Sequence, residues 1–340
     1  MLFRCKEPMK VFQFGVSEKK NCLFFLSSLL FAIASIQSTM AQETKVLRTS
    51  EDQFENLSDY PYAPHYVSVT PRLRMHYVDE GSPEDPIILL LHGEPCWSYI
   101  YRRMIPPLVE QGYRVIAPDL IGFGKSDKPG DATVHTYAHH ASWFTTFIEQ
   151  LHLTDIHLYG HDWGGMIALR TVATRPEWFA SVAVSYAFLF TGEEAVPESF
   201  SDWQRFSQTD TAFQAGTIVD GGTYTDLSDR VQAAYNAPFP DETYKAGARR
   251  FPMLIPTDPD DPEAKANARL REQLKAFDKP FLTIWGDHED AMWQGKDEIL
   301  QAEIPGARGQ NHQVLHASHF LQEDQTEEIT AIIISFLANL

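Results

Sequence analysis

The chain has 340 residues, of which 44% are hydrophobic and 22% charged, a globular composition that excludes disordered and fibrous architectures. This length fits one large α/β domain with an insertion, or two domains. Lysine and arginine number 28 against 46 acidic residues, which gives a formal net charge of −18. Such an acidic chain repels phosphate backbones and anionic lipids, so we expect no nucleic-acid partner and no membrane-surface role.

The first 41 residues have the pattern of a signal peptide. Two lysines precede an apolar run at residues 22–36, and small residues around Met40 lead into polar sequence. The run is shorter than the roughly 20 residues that cross a bilayer. A positive, then apolar, then small-residue order is typical of a cleaved export signal. We therefore expect a periplasmic or secreted protein that begins near Gln42, has no stable membrane association and, with only Cys96 left, has no disulfide.

Short apolar segments alternate with helical patterns from residue 67 onward. This alternation predicts an α/β fold with a mostly parallel sheet flanked by helices on both faces. We expect strands at residues 67–69, 74–78, 87–91, 115–118, 156–159, 182–185, 281–285 and 313–316. Helices are expected at residues 99–111, 139–151, 164–175, 297–303 and 326–340, the first of them interrupted by two prolines.

The pattern changes between residues 191 and 278, which are rich in proline, aspartate and aromatic residues and lack a convincing strand. We expect this segment to be a helical cap over the carboxyl edge of the sheet, where open α/β sheets bind their ligands. Residues 42–190 and 279–340 would then form the two parts of one core.

The clearest chemical motif is GHDWGG at residues 160–165, between a predicted strand and a predicted helix. Glycines two residues before and after Asp162 allow the sharp turn of a nucleophile elbow, which exposes the central side chain. A carboxylate at this position is already ionised at neutral pH, so it can attack a saturated carbon without a base. The alternative interpretation is an ordinary turn in which Asp162 caps the following helix.

Three further segments follow predicted strands. The segment HGEP at residues 92–95 can direct backbone N–H groups toward the elbow as an oxyanion hole. His319 can act as the general base that activates water. The acidic loop at residues 285–290 can orient this histidine. Each signal is weak alone, but the chain order of nucleophile, acid and histidine strengthens all of them.

These motifs are similar to those of the haloalkane dehalogenases, within the α/β-hydrolase superfamily. The resemblance covers about 280 residues from Tyr60 to the end, and its segments are HGEPCWSY at 92–99, PDLIGFGKSDKP at 118–129, GHDWGG at 160–165 and HFLQE at 319–323. The cap resembles that of the subgroup of the 1,2-dichloroethane-degrading enzyme. The resemblance implies an eight-stranded α/β-hydrolase sheet and hydrolysis of a haloalkane to an alcohol and halide through an alkyl-aspartate.

The resemblance also implies roles for individual residues. Asp162 is the nucleophile and His319 the base. Trp163 and Trp203 bind the halide through their indole N–H groups, Trp203 because the insertion repeats the family's Phe-x-x-Trp. The backbone N–H groups of Glu94 and Trp163 form the oxyanion hole. An indole suits a weakly hydrated anion because it is a donor without an acceptor.

The acid that supports His319 stays open among three candidates. Asp287, Glu289 and Asp290 lie where the family shows a single obvious carboxylate. Counting forward from Gly286 favours Glu289, whereas counting back from His319 favours Asp290, which we prefer.

The sequence is also compatible with two other functions. An epoxide hydrolase shares the aspartate, tryptophan and histidine but needs acidic hydroxyls, for which Tyr224, Tyr235 and Tyr244 of the cap are candidates. Glu94 stands where epoxide hydrolases usually carry an aromatic residue, which favours dehalogenation. A non-catalytic receptor on the same fold is the more remote alternative.

We expect neither a cofactor nor a metal. Residues 122–126 lack the first glycine of a phosphate-binding loop, and the pair His139 and His140 is expected at the surface of a helix. The expected partners are a small neutral halogenated substrate, water and halide, and the expected oligomeric state is a monomer.

Overall fold

A computed structural model describes residues 45–288 and 291–340. The predicted signal segment and two of the acid candidates, Glu289 and Asp290, lie outside the described residues. Residues 45–340 form one compact unit.

An eight-stranded sheet forms the centre of this unit, in the spatial order β10-β9-β8-β7-β4-β5-β3-β2. Strands β10, β9, β8, β7, β4 and β5 pair in parallel, and β3 and β2 add antiparallel pairs at the other edge. A separate antiparallel pair joins β1 and β6. The strands are β1 Val46–Leu47, β2 His65–Thr70, β3 Leu73–Glu80, β4 Ile87–Leu91, β5 Arg114–Pro118, β6 Lys128–Pro129, β7 Ile156–His161, β8 Phe179–Ser185, β9 Phe281–Gly286 and β10 Gln313–Leu315.

Helices occupy the connections between these strands. The α-helices are α1 Ile105–Glu110, α2 Tyr137–Gln150, α3 Trp163–Thr174, α4 Glu198–Thr209, α5 Ala215–Gly221, α6 Asp229–Asn236, α7 Ala246–Arg250, α8 Pro262–Leu274, α9 Lys296–Glu303, α10 Leu321–Asp324 and α11 Thr326–Ala338. Short 3-10 helices lie at Glu51–Phe54, Ser98–Tyr101, Ala132–Val134, Pro176–Trp178, Glu242–Lys245, Phe251–Leu254 and Pro305–Ala307.

The predicted fold class is confirmed, and each predicted strand lies within or overlaps an observed strand. The central strand β4 is buried from Ile88 onward, because β5 and β7 flank it and helices cover its faces. Parallel strands bring their carboxyl ends to one edge of the sheet. That edge therefore gathers the loops after β4, β7, β8 and β9.

The first predicted helix differs from expectation. Instead of one helix over residues 99–111, a 3-10 turn at Ser98–Tyr101 precedes α1, which begins at Ile105. Pro106 and Pro107 lie in the first turn of α1, where the missing N–H groups have no helical acceptor to lose. The two prolines therefore start the helix rather than break it.

Residues 186–280, between β8 and β9, contain α4 to α8 and no strand. This agrees with the helical character expected for the cap, while the boundaries at 191 and 278 stay a prediction. Across the described part of the chain, no helix combines the length and the apolar character needed to span a membrane.

The surface position expected for the histidine pair is wrong for His140. His139 is exposed, but His140 is buried against Phe251. The Nε2 atom of His140 lies 3.2 Å from the Nδ1 atom of His135. The cap covers this side of α2, which a helix pattern read in isolation does not reveal.

Candidate active site

Asp162 lies on a strained turn between β7 and α3. Its φ is 53° and its ψ −127°, a conformation that costs a non-glycine residue about 1–3 kcal/mol. Its backbone N–H donates to Ser185 O at 2.9 Å, and its carbonyl accepts from Met166. A Cβ at Gly160 would come within 2.7 Å of Gly165, so the turn requires glycines. The sequence-predicted elbow is therefore present.

The loop after β4 touches the Asp162 carboxylate. The backbone N–H of Glu94 donates to Asp162 Oδ1 at 2.9 Å. A Cβ at Gly93 would overlap the same carboxylate, so only glycine allows this approach. Trp163 begins α3, so its backbone N–H has no acceptor within the helix. Both predicted oxyanion-hole donors thus belong to residues beside the nucleophile.

The side chain of Glu94 is itself unusual. It is 6% exposed, and its Oε1 atom is buried without a hydrogen-bond partner in the described structure. Burial raises the pKa of Glu94 well above its ordinary value, and the nearby Asp162 charge acts in the same direction. This environment favours the neutral carboxyl group over the carboxylate.

His319 lies opposite the nucleophile, in the loop after β10. Its Nε2 is 3.7 Å from Asp162 Oδ2. His161, directly before the nucleophile, donates from Nε2 to His319 O at 2.8 Å and so fixes this loop to the end of β7. Burial, with the charge of His288 acting in the same direction, lowers the pKa of His319 to about 3. The imidazole is therefore neutral at physiological pH, and one of its ring nitrogens is unprotonated and can act as an acceptor.

Of the three acid candidates, Asp287 is the one that lies among the described residues. The carboxylate of Asp287 is exposed and bonds to Tyr224 Oη at 3.1 Å and His316 Nδ1 at 2.9 Å. Glu289 and Asp290 lie outside the described residues. Nδ1 of His319 is buried and has no partner in the part of the chain that the structure describes. The choice between the last two candidates stays a prediction.

Asp162 and His319 open onto a cavity of about 620 Å³. Trp163 lines its core wall and Trp203, on α4, its cap wall. Rings pack around both indoles, Trp163 against Tyr137 and Phe251, and Trp203 against Phe206. The rest of the lining is mostly apolar and includes Phe200, Phe206, Ile218, Pro252, Ile255, Met292, Trp293 and Phe320. The two predicted halide ligands therefore lie on the same cavity as the nucleophile.

None of the cap tyrosines proposed for epoxide opening lines this cavity. Tyr224 points to the surface and donates to Asp287, and Tyr235 donates to Glu323 at 2.5 Å. Tyr244 is half-buried in the cap. Within residues 45–288 and 291–340, no tyrosine is placed to protonate an epoxide in the cavity.

No cluster of three or more side chains that could hold a metal ion occurs among the described residues. The phosphate-loop look-alike at residues 122–126 has a structural role, because buried Asp119 accepts backbone N–H groups from Ser98 at 2.7 Å and Lys125 at 2.8 Å.

Sequence reasoning missed most of the cavity walls. Met292 and Trp293 follow the acidic loop, and Ile218 and Pro252 lie in the cap. It also missed Tyr186, whose ring lies 4.8 Å from the His319 ring. The one available signal for Tyr186 is its position directly after a central strand.

Comparisons with known proteins identify the family of the chain. The family model of the α/β-hydrolase fold matches residues 86–326. A haloalkane dehalogenase of Psychrobacter cryohalolentis is 47% identical over 298 residues, covering 86% of this chain and 98% of that protein. One from Mycolicibacterium paratuberculosis is 46% identical, with the same coverage. The tetrameric structure of haloalkane dehalogenase DpaA from Paraglaciecola agarilytica superposes with a TM-score of 0.78 at 33% identity, covering 87% of this chain and 99% of DpaA. The chain belongs to the haloalkane dehalogenases of the α/β-hydrolase superfamily.

Proposed function

We propose that this enzyme cleaves carbon–halogen bonds through a covalent alkyl ester on Asp162. A carboxylate oxygen attacks the carbon that bears the halogen, a C–O bond forms, and the C–X electron pair leaves with the halide. The observation that carries this proposal is the Asp162 carboxylate, which the elbow presents to the cavity, with Glu94 N–H at 2.9 Å and His319 Nε2 at 3.7 Å.

The departing halide needs donors, because an unpaired anion in an apolar cavity is costly. We assign the indole N–H groups of Trp163 and Trp203 to this task. Neither N–H has a hydrogen-bond partner among the described residues, and both tryptophans line the cavity. Donors held in place before the charge develops need no reorganisation during the reaction.

Water then hydrolyses the ester. His319 Nε2 accepts a proton from water as the water oxygen attacks the carbonyl carbon of Asp162. The negative charge that develops on the carboxyl oxygen is met by the backbone N–H groups of Glu94 and Trp163. Collapse of this intermediate restores Asp162 and releases the alcohol, so that a haloalkane and water give an alcohol, a halide ion and a proton.

His319 needs an acceptor for its Nδ1 proton, because buried donors are rarely left unpaired. Glu289 and Asp290 lie between His288 and Ala291, and both of these neighbours line the same cavity as His319. We keep Asp290 as the acid. Its carboxylate would hold the imidazole in the correct tautomer and stabilise the imidazolium that forms.

The substrate class follows from the cavity lining. Its aromatic and aliphatic walls suit a neutral haloalkane, and a volume of about 620 Å³ leaves room for more than a two-carbon substrate. A panel of primary bromo- and chloroalkanes, run beside styrene oxide and epoxyhexane, tests the assignment. We expect halide release from the alkanes and no diol from the epoxides; diol formation without halide release would contradict it.

Export and oligomeric state are separate proposals. We keep residues 1–41 as a cleaved signal, so the mature protein should begin near Gln42 in the periplasm or the medium. Amino-terminal sequencing that returns Met1 from a cytoplasmic fraction would contradict this.

We keep the monomer as the expected state, which light scattering can test against the tetramer described for DpaA.

A further inference from the structure

Two consecutive residues at the end of β8 contact both halves of the site. The carbonyl of Ser185 accepts the backbone N–H of Asp162 at 2.9 Å. Tyr186 follows directly, is 1% exposed, and places its ring centroid 4.8 Å from that of His319. The end of β8 therefore supports the nucleophile through its backbone and the histidine through a side chain.

The backbone of Tyr186 is strained. Its φ is 47°, in the left-handed region that bulky residues avoid. The other described non-glycine residues with positive φ are asparagine, aspartate or histidine, which adopt it more readily: Asn56, Asp59, His152, Asp155 and Asp162. Such strain persists only where the surrounding structure holds the residue, and it is concentrated at functional sites. The positive φ of Tyr186 therefore indicates a functional role.

The hydroxyl of Tyr186 lies between two loops of the site. It accepts the backbone N–H of Gly286, the last residue of β9, at 3.2 Å. It also lies 3.5 Å from the carbonyl of Ser318, a long contact to the residue before His319. A Cβ at Gly286 would approach the hydroxyl to 2.6 Å, so glycine leaves the space for it. The hydroxyl thus sets the spacing between the start of the acidic loop and the histidine loop.

The ring of Tyr186 is held from several sides. It packs against Trp285 at 5.4 Å and Trp293 at 6.0 Å between ring centroids. It meets the His319 imidazole at an interplanar angle of 32°. A rigid aromatic neighbour at this angle restricts rotation of the imidazole, which otherwise has two broad orientations.

We propose that Tyr186 is a positioning residue that orients His319 for ester hydrolysis. The ring sets the plane of the imidazole, and the hydroxyl fixes the histidine loop relative to the end of β9. This inference rests on the proposed function, in which His319 acts only in the second chemical step. Loss of Tyr186 should therefore slow hydrolysis of the alkyl-enzyme and spare its formation.

Rapid-quench kinetics of Tyr186→Phe and Tyr186→Leu with 1-bromohexane test this division. Tyr186→Phe leaves the Gly286 N–H unpaired and should slow hydrolysis about 10-fold. Tyr186→Leu also removes the ring and should slow it about 100-fold, the loss that a misplacement of about 1 Å can cause. Alkylation, followed as the bromide burst, should change less than about 2-fold in both, because its groups keep their positions. Alkyl-enzyme should accumulate in the steady state and appear in the intact mass.

Tyr60→Phe is the matched control, because Tyr60 is a buried tyrosine whose hydroxyl bonds to Ser98 at 2.7 Å and whose ring packs against Trp97 and Tyr99. It should lose some thermal stability and keep the ratio of the two rates. Equal slowing of both steps, or an unchanged ratio in folded Tyr186→Phe, would overturn the positioning role even if the leucine variant fails to fold.

His319→Gln is measured in parallel to separate the two proposals. Alkyl mass in His319→Gln together with an unchanged ratio in the Tyr186 variants contradicts only the role of Tyr186. Absence of alkyl mass in His319→Gln contradicts the covalent mechanism and the role of Tyr186 with it.

Discussion

The two walls of the cavity are built in different ways. On the core wall, hydrogen bonds to backbone groups fix the reacting residues: Glu94 donates to Asp162, and His161 donates to the carbonyl of His319. On the cap wall, Trp203 is held by ring packing, against Phe206 at 5.5 Å between centroids. Hydrogen bonds define direction, whereas apolar packing mainly defines shape. The core wall is therefore suited to chemistry, and the cap wall to the choice of substrate.

Among the polar contacts that join the cap to the core, one carboxylate accepts two backbone N–H groups of the cap. Asp324 accepts the backbone N–H groups of Tyr224 and Thr225 in the cap, each at 2.9 Å. It also accepts the N–H of Ser318 at 2.8 Å, directly before His319. Asp324 therefore connects the cap to the loop that carries His319.

The largest effect should come from Asp290, the acid that we propose for His319. Asp290→Asn removes the partner of the imidazolium and should lower kcat about 10,000-fold, the loss known for such an acid in a catalytic triad. Glu289→Gln is the matched control and should cost less than about 10-fold by the same reasoning. Steady-state halide release measures both. A reversed order would assign the acid to Glu289.

Removal of one donor from the cap wall should have the next largest effect. Trp203→Phe keeps the aromatic bulk and loses the N–H, so the rate should fall about 100- to 1,000-fold, as for loss of one oxyanion donor. Trp178→Phe is the control, because Trp178 is half-buried and lies outside the cavity lining. Bromide quenching of tryptophan fluorescence should weaken only in the first variant. A fully active, bromide-responsive Trp203→Phe would leave Trp203 as a packing residue.

The connection between the walls should matter less. Asp324→Asn offers one acceptor oxygen to three backbone donors, so unfolding free energy should fall by about 1–3 kcal/mol. Asp241→Asn is the control, because Asp241 caps Thr243 at an exposed turn of the cap, away from the histidine loop. Urea denaturation compares the two. Equal losses would show that Asp324 is an ordinary capping residue.

The smallest effect is expected at Glu94, and it depends on pH. Burial raises the pKa of this carboxyl, so the folded state binds its proton more tightly than the unfolded state does. Its stability contribution is complete below the ordinary glutamate pKa and declines as pH rises toward the folded pKa. The glutamine of Glu94→Gln is neutral at every pH. The urea midpoint of this variant, measured relative to that of the parent, should therefore rise between pH 5 and pH 9.

Exposed Glu84→Gln is the control for the Glu94 variant and should follow the parent across this range. Because only the backbone N–H of Glu94 bonds to Asp162, Glu94→Gln should keep its activity within about 3-fold at neutral pH. A pH-independent difference in urea midpoint would mean that Glu94 is charged in the folded protein.

The sequence predicts the core wall of the cavity better than the cap wall. Asp162 and the loop at residues 92–95 were predicted because glycine spacing and strand ends dictate backbone geometry locally, and Glu94 was named within that loop through the family resemblance. Trp203 was predicted only through the family resemblance, since nothing in its local pattern separates it from a packing residue. Tyr186 was missed because its contact with His319 joins residues 133 positions apart. The burial of His140 was missed for the same reason, since the covering residue is Phe251 of the cap.

The central claim is that Asp162 carries the alkyl group and His319 removes it. Intact-mass and peptide-mapping spectrometry of His319→Gln after incubation with 1-bromohexane test it most directly, with the double variant Asp162→Ala, His319→Gln as the control. We expect one hexyl group on the peptide that contains Asp162, a burst of bromide equal to the enzyme, and neither in the double variant. An unmodified His319→Gln chain after prolonged incubation, or a hexyl group on another residue, would contradict the account.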